Sequence, residues 1–326
     1  MLQAQSPLVP SSGRAAQRAI VRQLRLSRLV LEQSELYVRA LVAARKRQRR
    51  AAVHAVRVAT RRLLAMRELL RFVDPDAGNG RLELYLGEPF RPCGQLRDLQ
   101  VIQRRIRMLL PRFPEGKKFL RALGRQERKA KARAARALDE AHPRRIARLL
   151  ASLASRLDEL TTDRVGRDRA MRRVALRVRT ANRAAKEARI RAKTGDPDLI
   201  HVARLALKSH RYMAELAKSL GVYFVSTEVE SLSRLQATMG EITDRTMLLH
   251  ALDSYRGKHP RAGSRLAHLR AFIERERGRL ISRYLATDGR TSPAPRVAAI
   301  RTARPEVARA RSRPPKTRRA APLRPK

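Results

Sequence analysis

Residues 53–62 read "VHAVRVATRR", and residues 200–211 read "IHVARLALKSHR". On an α-helix, which turns about 100° per residue, positions 0, +3, +7 and +10 fall within roughly one 80° sector. His54, Arg57 and Arg61 take the first three places of that sector; His201, Arg204, Lys208 and Arg211 take all four. Arg62 lies about 80° away, on the flank of the first stripe. Each segment therefore predicts a helix with one cationic edge and an apolar remainder.

A second pair of landmarks keeps the same offset. "GQLRDLQVI" begins at Gly94 and "GEITDRTML" at Gly240, so Asp98 and Asp244 lie 146 positions apart, while His54 and His201 lie 147 apart. Two landmarks at one offset point to an internal duplication. Between and around them Ala, Leu, Arg and Glu dominate and runs of β-branched residues are missing, which predicts an all-α chain of about nine helices. "DPDAGNG", "LPRFPEG", "AHP", "TGDPD" and "KHPRAG" read as the connections, with Asp196 before Pro197 as an N-cap.

Further basic stripes recur along the chain. Arg172, Arg179, Arg183 and Lys186 share one narrow helical sector, and Lys118, Arg125, Lys129 and Arg136 share another. Any one stripe is equally well read as a solvated face. Solvated faces usually mix signs, with Glu placed four residues before Lys or Arg, and that pairing is scarce here. Several stripes without matching acids point to a polyanionic ligand, whose phosphates suit Arg forks and Lys point charges.

The whole composition agrees. There are 75 Lys and Arg against 29 Asp and Glu, a formal +46 whose self-repulsion is best tolerated beside a partner of high negative charge density. Residues 1–14 read as a loose lead-in. From 287 to 326 the chain is Arg, Pro and Ala without apolar periodicity, which predicts a disordered basic tail. The tail carries +10, which leaves +36 of the +46 on the remainder. The single Cys93 excludes an intrachain disulfide and reads as a small buried hydrophobe. No apolar run approaches a membrane span and no secretion signal is visible, so a cytoplasmic protein is expected.

With "VHAVRVATRRL", "LRDLQVI", "IHVARLALKSHRYMAEL" and "LQATMGEITD" in this order, the chain resembles the CHAD family, the conserved-histidine α-helical domain, over about residues 15–286. The resemblance implies a helical bundle of two pseudo-symmetric four-helix halves, about 15–141 and 142–286. It further implies that basic helices surround a central groove or pore that binds inorganic polyphosphate, with the protein at polyphosphate granules. Its signature histidines fall on His54 and His201, and its basic positions on Arg57, Arg61, Arg62, Arg204, Lys208 and Arg211. Leu64 and Ser209 depart from the basic residues usual at those places, so the first half is expected to grip less tightly than the second.

Asp98 and Asp244 match the family's acidic positions, either aiming a neighbouring Arg or His or holding a bridging divalent ion. The two histidines either donate to phosphate or lock helices together. Tyr212 reads as core; His142, His250, His259 and His268 lack metal spacing. Lys118, Arg125, Arg172, Arg179 and Arg183 join the candidate polyphosphate-binding set on their stripes alone.

Nucleic acid is the rival ligand, reached chiefly through the tail by phosphate contacts. Against it, the chain has no Trp and only six Tyr and six Phe for base stacking, and no zinc finger, RRM core or helix-turn-helix is recognisable. A polyphosphate-metabolising enzyme is a further alternative, but no P-loop, clustered Asp motif or acidic tunnel motif accompanies the cations. The sequence reads as a binding protein with no catalytic set and no cofactor.

Overall fold

The helices begin and end where the backbone finds a substitute hydrogen-bond partner. In the computed structural model, which describes residues 26–75, 80–221 and 226–288, Asp163 accepts from the Gly166 amide at 2.6 Å and Asp196 from the Asp198 amide at 2.9 Å. Each carboxylate satisfies one of the donors that a helix start leaves free. Pro143 and Pro197 open their helices with a fixed φ. Gly195 turns the chain between two helices at φ 81°, a left-handed conformation that glycine adopts without a Cβ clash.

The described residues form an all-α bundle with nine long helices and no strand among them. They are α1 (Leu26–Lys46), α2 (Arg50–Val73), α3 (Gly80–Leu109), α4 (Lys117–Glu140), α5 (Pro143–Leu160), α6 (Arg164–Arg191), α7 (Pro197–Ser219), α8 (Ser226–Lys258) and α9 (Ala267–Asp288). A one-turn helix, Pro260–Gly263, links the last two. The five expected connections fall at helix junctions, residues 76–79 of "DPDAGNG" lying outside the described residues. The lead-in at 1–14 lies outside them too, as does the tail expected from 287, except that Thr287 and Asp288 close α9 as helix. Among the described residues no helix is long and apolar enough to cross a membrane.

The packing order places the two signature segments side by side. Helix α1 packs on α2, α2 on α3 and α3 on α4; likewise α6 packs on α7, α7 on α8 and α8 on α9. Helices α2 and α7 also meet each other, and α6 reaches α2. Helix α5 lies against α1. The largest apolar cluster runs through α1 to α7 with Tyr37, Leu63, Met66 and Leu86 fully buried; smaller clusters sit between α3, α4, α8 and α9 and between α6, α7, α8 and α9. Burying one such Leu or Met contributes about 1.5–3 kcal/mol, so the cationic edges are carried on well-anchored helices.

Two details bear on the site. Helix α3 continues through Pro89 and Pro92, although each proline removes one backbone donor. Cys93 is buried just after them, and burial pushes its thiol up to about 11 despite the nearby Arg57 guanidinium. At that value the sulfur is a neutral hydrophobe at ordinary pH.

Candidate functional site

Because α2 and α7 pack together, their basic edges converge. The Lys208 ammonium shows it best: its pKa is pushed down to about 7, first by burial and then by the Arg61, Arg204, Arg211 and Arg57 guanidiniums. A charge is disfavoured wherever water is replaced by other positive charges. His54 is lowered by burial and then by Arg97, Lys208, Arg57 and Arg61. His201 is lowered by burial and Arg204, against the opposing pull of Asp198 and Asp98. The residues of the two stripes thus form one electrostatic cluster, shared between two helices distant in sequence.

Neighbouring helices hold the arginines in place. Arg57 lies over the Phe90 ring at 5.1 Å and Arg61 over the same ring at 5.6 Å. A guanidinium stacked on a ring keeps its N–H groups free at the edges for an anion. Gly94 makes room for this arrangement, since a Cβ there would sit 2.5 Å from Arg57 Nη1. Across the site, Gly240 faces Arg204 more loosely, with a Cβ placed 3.6 Å from Arg204 Nε. Arg204 Nε is buried without a hydrogen-bond partner among the described residues.

The two aspartates sit within the cluster. Burial raises Asp244 above the usual carboxylate range, against the lowering pull of Arg204, Arg105 and Arg97, and Asp98 adds to the rise. Asp98 in turn acts on Arg57, Arg204 and His201. The cations therefore act on both acids through space, with Asp244 the largest charged neighbour of Arg204 and Arg204 that of Asp244. Among the described residues no three His, Cys, Asp or Glu side chains gather as a metal site.

A cavity of about 520 Å³ opens beside this cluster, between α2, α3 and α8. His54 and Asp244 line it, as do Arg50, Arg97, Arg104, Arg105 and Arg245, none of which the helical stripes had indicated. Arg50 opens α2 itself and the other four come from α3 and α8, so only the packing brings them to the same opening. Glu215 is another addition: it pairs with Arg211 at 3.4 Å and with Arg62 at 3.6 Å, tying the far ends of the stripes together across α2 and α7. Tyr212 is buried as expected, and it also lies beneath the Arg211 and Lys208 cations, at 5.2 and 6.0 Å.

The remaining candidates stand elsewhere. Arg172, Arg179 and Arg183 are exposed on α6, and Arg183 pairs with Glu187 at 3.0 Å. The α6 cations that reach α2 are Arg173, which donates to the Val73 carbonyl at 2.8 Å, and Arg177, which stands 3.4 Å from Glu68 and over the Phe72 ring. Lys118 and Arg125 are exposed on α4, and Lys118 lines a second cavity, which shares no lining residue with the first.

Comparison with known proteins adds two findings. A family model described as CHAD domain matches residues 32–253. The fold is similar to the crystal structure of the CHAD domain from the plant Ricinus communis, with a TM-score of 0.62 and 19% identity over 84% of this chain and 95% of that one. At that identity the likeness is one of fold alone. No curated protein matches the chain.

Proposed function

The chain belongs to the CHAD domain family, and from that premise we propose that it binds inorganic polyphosphate on the basic cluster between α2 and α7. The observation that carries this reading is Lys208, whose ammonium is crowded by Arg57, Arg61, Arg204 and Arg211 and pushed down to about 7. Five cations held so close destabilise one another unless a polyanion lies among them. A linear phosphate polymer supplies one negative charge per unit at a spacing that successive Arg forks and a Lys can follow. Binding then releases counterions, so affinity falls steeply with salt and rises with chain length.

In this reading the protein is a binder, and its residues hold the polymer rather than cleave it. Asp98 and Asp244 aim the arginines, while His54 and His201 add donors that strengthen on protonation. The recurrence of an Arg facing a Gly, once between α2 and α3 and once between α7 and α8, supports the duplicated-halves organisation. Association with polyphosphate granules follows as the cellular counterpart of such binding.

The test is competition. Labelled long-chain polyphosphate is bound to the full chain at physiological salt and challenged with duplex DNA and single-stranded RNA at equal phosphate concentration. Retention of polyphosphate is the expected result. Easy displacement by either nucleic acid makes the cluster a general anion surface and favours the nucleic-acid reading.

A further inference from the structure

The second cavity, about 910 Å³, lies where the start of α4 faces the end of α8 and the one-turn helix Pro260–Gly263. Six cations line it, Lys117, Lys118, Arg121, Lys258, Arg261 and Arg265, against the single acid Glu115. All six are exposed, and among the described residues none of them has an ion pair. Just outside, Arg256 and Arg270 both pair with Asp253, the second at 2.8 Å. Asp253 is therefore engaged by other arginines, and Glu115 is the one acid among the residues lining the cleft with the six cations.

The cleft also has an apolar wall, which distinguishes it from a plain basic surface. Tyr255, Leu266, Pro114 and Pro260 contribute to it. The exposed His259 ring lies tilted at 48° against Tyr255 at a centroid distance of 4.5 Å, and Tyr255 lies tilted at 49° against the buried Phe119 at 5.2 Å. These ring contacts run from the core out to the cleft. Its volume lies within the usual range of small-molecule sites, about 300–1,000 Å³.

We propose that this cleft is a second ligand site, separate from the α2–α7 cluster, and that it binds a nucleoside triphosphate. The phosphates pair with Lys117, Lys118 and Arg121 on one side and Lys258, Arg261 and Arg265 on the other. The base lies against the His259 and Tyr255 rings at the cleft, where stacking on one ring is worth about 1–3 kcal/mol per base in single-strand binders. Inorganic polyphosphate satisfies the cations equally but leaves the rings and Leu266 uncovered, so a ligand with both a polyanionic and a planar apolar part fits best.

The experiment is calorimetric titration of the full chain with ATP, tripolyphosphate and adenosine at physiological salt. ATP is expected to bind at least about fivefold tighter than tripolyphosphate, the factor that one stacked base supplies at about 1 kcal/mol. The charge-reversed variant K258E/R261E/R265E is expected to lose about tenfold or more in ATP affinity while long-chain polyphosphate affinity changes less than about threefold. Because that variant alters three charges, Tyr255→Leu serves as a second probe: it is expected to weaken ATP and leave tripolyphosphate unchanged. Equal affinity for ATP and tripolyphosphate overturns the base contact, and undiminished ATP binding by both variants overturns the site. Loss of ATP binding in Arg204→Ala places the nucleotide in the α2–α7 cluster instead. Polyphosphate binding at the α2–α7 cluster is tested separately, by the competition with duplex DNA and single-stranded RNA.

Discussion

Helices α2 and α7 carry nearly the same stripe but support it differently. On α2, Arg57 and Arg61 lie over the Phe90 ring, and the fourth place of the sector is Leu64. On α7, Arg204 has Asp244 as its largest charged neighbour, while Lys208 and Arg211 lie over Tyr212 of their own helix. The α2 arginines thus rest on an uncharged face, with Asp98 acting on Arg57 and Glu215 pairing with the flanking Arg62. The α7 set is larger but partly offset by Asp244 and by the Arg211–Glu215 pair. Equal spacing in sequence does not give equal availability of charge.

Neutralising each stripe in turn tests that contrast most directly. Replacing Arg204, Lys208 and Arg211 with Ala removes three cations, each charge-assisted contact being worth about 1.5–3 kcal/mol when fully made. Polyphosphate affinity is expected to fall about 100-fold, less than the sum because Glu215 and Asp244 already offset part of the charge removed. Arg57→Ala with Arg61→Ala is expected to cost about tenfold or more per charge removed, since those guanidiniums rest on the uncharged Phe90 ring. Filter binding with helix content followed by circular dichroism reads both. A smaller loss per charge on α2 than on α7 reverses the comparison.

The next effect is on pH, and it belongs to Lys208. Its pKa in the free protein is about 7 against an ordinary value of 10.5, so the unfolded chain binds more protons between those values. Stability contributed by this group therefore rises as pH increases from about 7 towards 10.5 and is lost as pH falls through 7. Bound phosphate favours the ammonium, so polymer binding takes up a proton near and above neutrality and weakens as pH rises to 9. About a tenfold loss from pH 7 to 9 is expected for the wild type and a flatter profile for Lys208→Arg. Titrations in two buffers of different ionisation heat measure the proton uptake. His54 and His201, both lowered from 6.5, add a further tightening below neutrality.

How much of this was legible in the sequence varies by element. The stripes of α2 and α7 are local periodicities, so spacing alone placed His54, Arg57, Arg61, His201, Arg204, Lys208 and Arg211, and the Pro and Gly clusters placed the helix ends. Phe90 escaped because it lies between Pro89 and Pro92, where a break is the natural expectation and α3 nevertheless continues. Arg97, Arg104, Arg105 and Arg245 escaped because no stripe contains them and only the packing of α3 and α8 against α2 brings them to one cavity. Glu215 was hidden by order: it follows Arg211 by four residues, whereas the favourable helix pair places the acid first. The same reversed order conceals the Arg183–Glu187 pair.

The glycines test the comparison at finer grain. Gly94→Ala drives a Cβ to 2.5 Å from Arg57 Nη1, the far end of a flexible side chain, so the guanidinium moves and the fold survives. Gly240→Ala meets Arg204 at 3.6 Å, an ordinary contact. Both changes favour a helix interior by about 0.5–1 kcal/mol. Polyphosphate affinity is therefore expected to drop about threefold for Gly94→Ala and to hold for Gly240→Ala, with melting temperature raised at Gly240. A matched loss at both positions means the two arginines are equally constrained.

The smallest effect is expected from the stripe the sequence ranked alongside these. Arg172, Arg179 and Arg183 are exposed on α6, and Arg183 already pairs with Glu187. The residues of α6 that meet α2 are Arg173 and Arg177, which hold the Val73 carbonyl and Glu68. Exposed cations more than a Debye length, about 8 Å at 0.15 M salt, from a bound polymer are largely screened, though they still speed its arrival when salt is low. Replacing all three with Ala is expected to change equilibrium affinity less than about twofold at physiological salt while slowing association measurably at about 20 mM. A loss comparable to that of the α7 triple variant means instead that the polymer leaves the α2–α7 cluster and runs on across the outer face of α6, so that the binding surface is a track wrapped around the bundle.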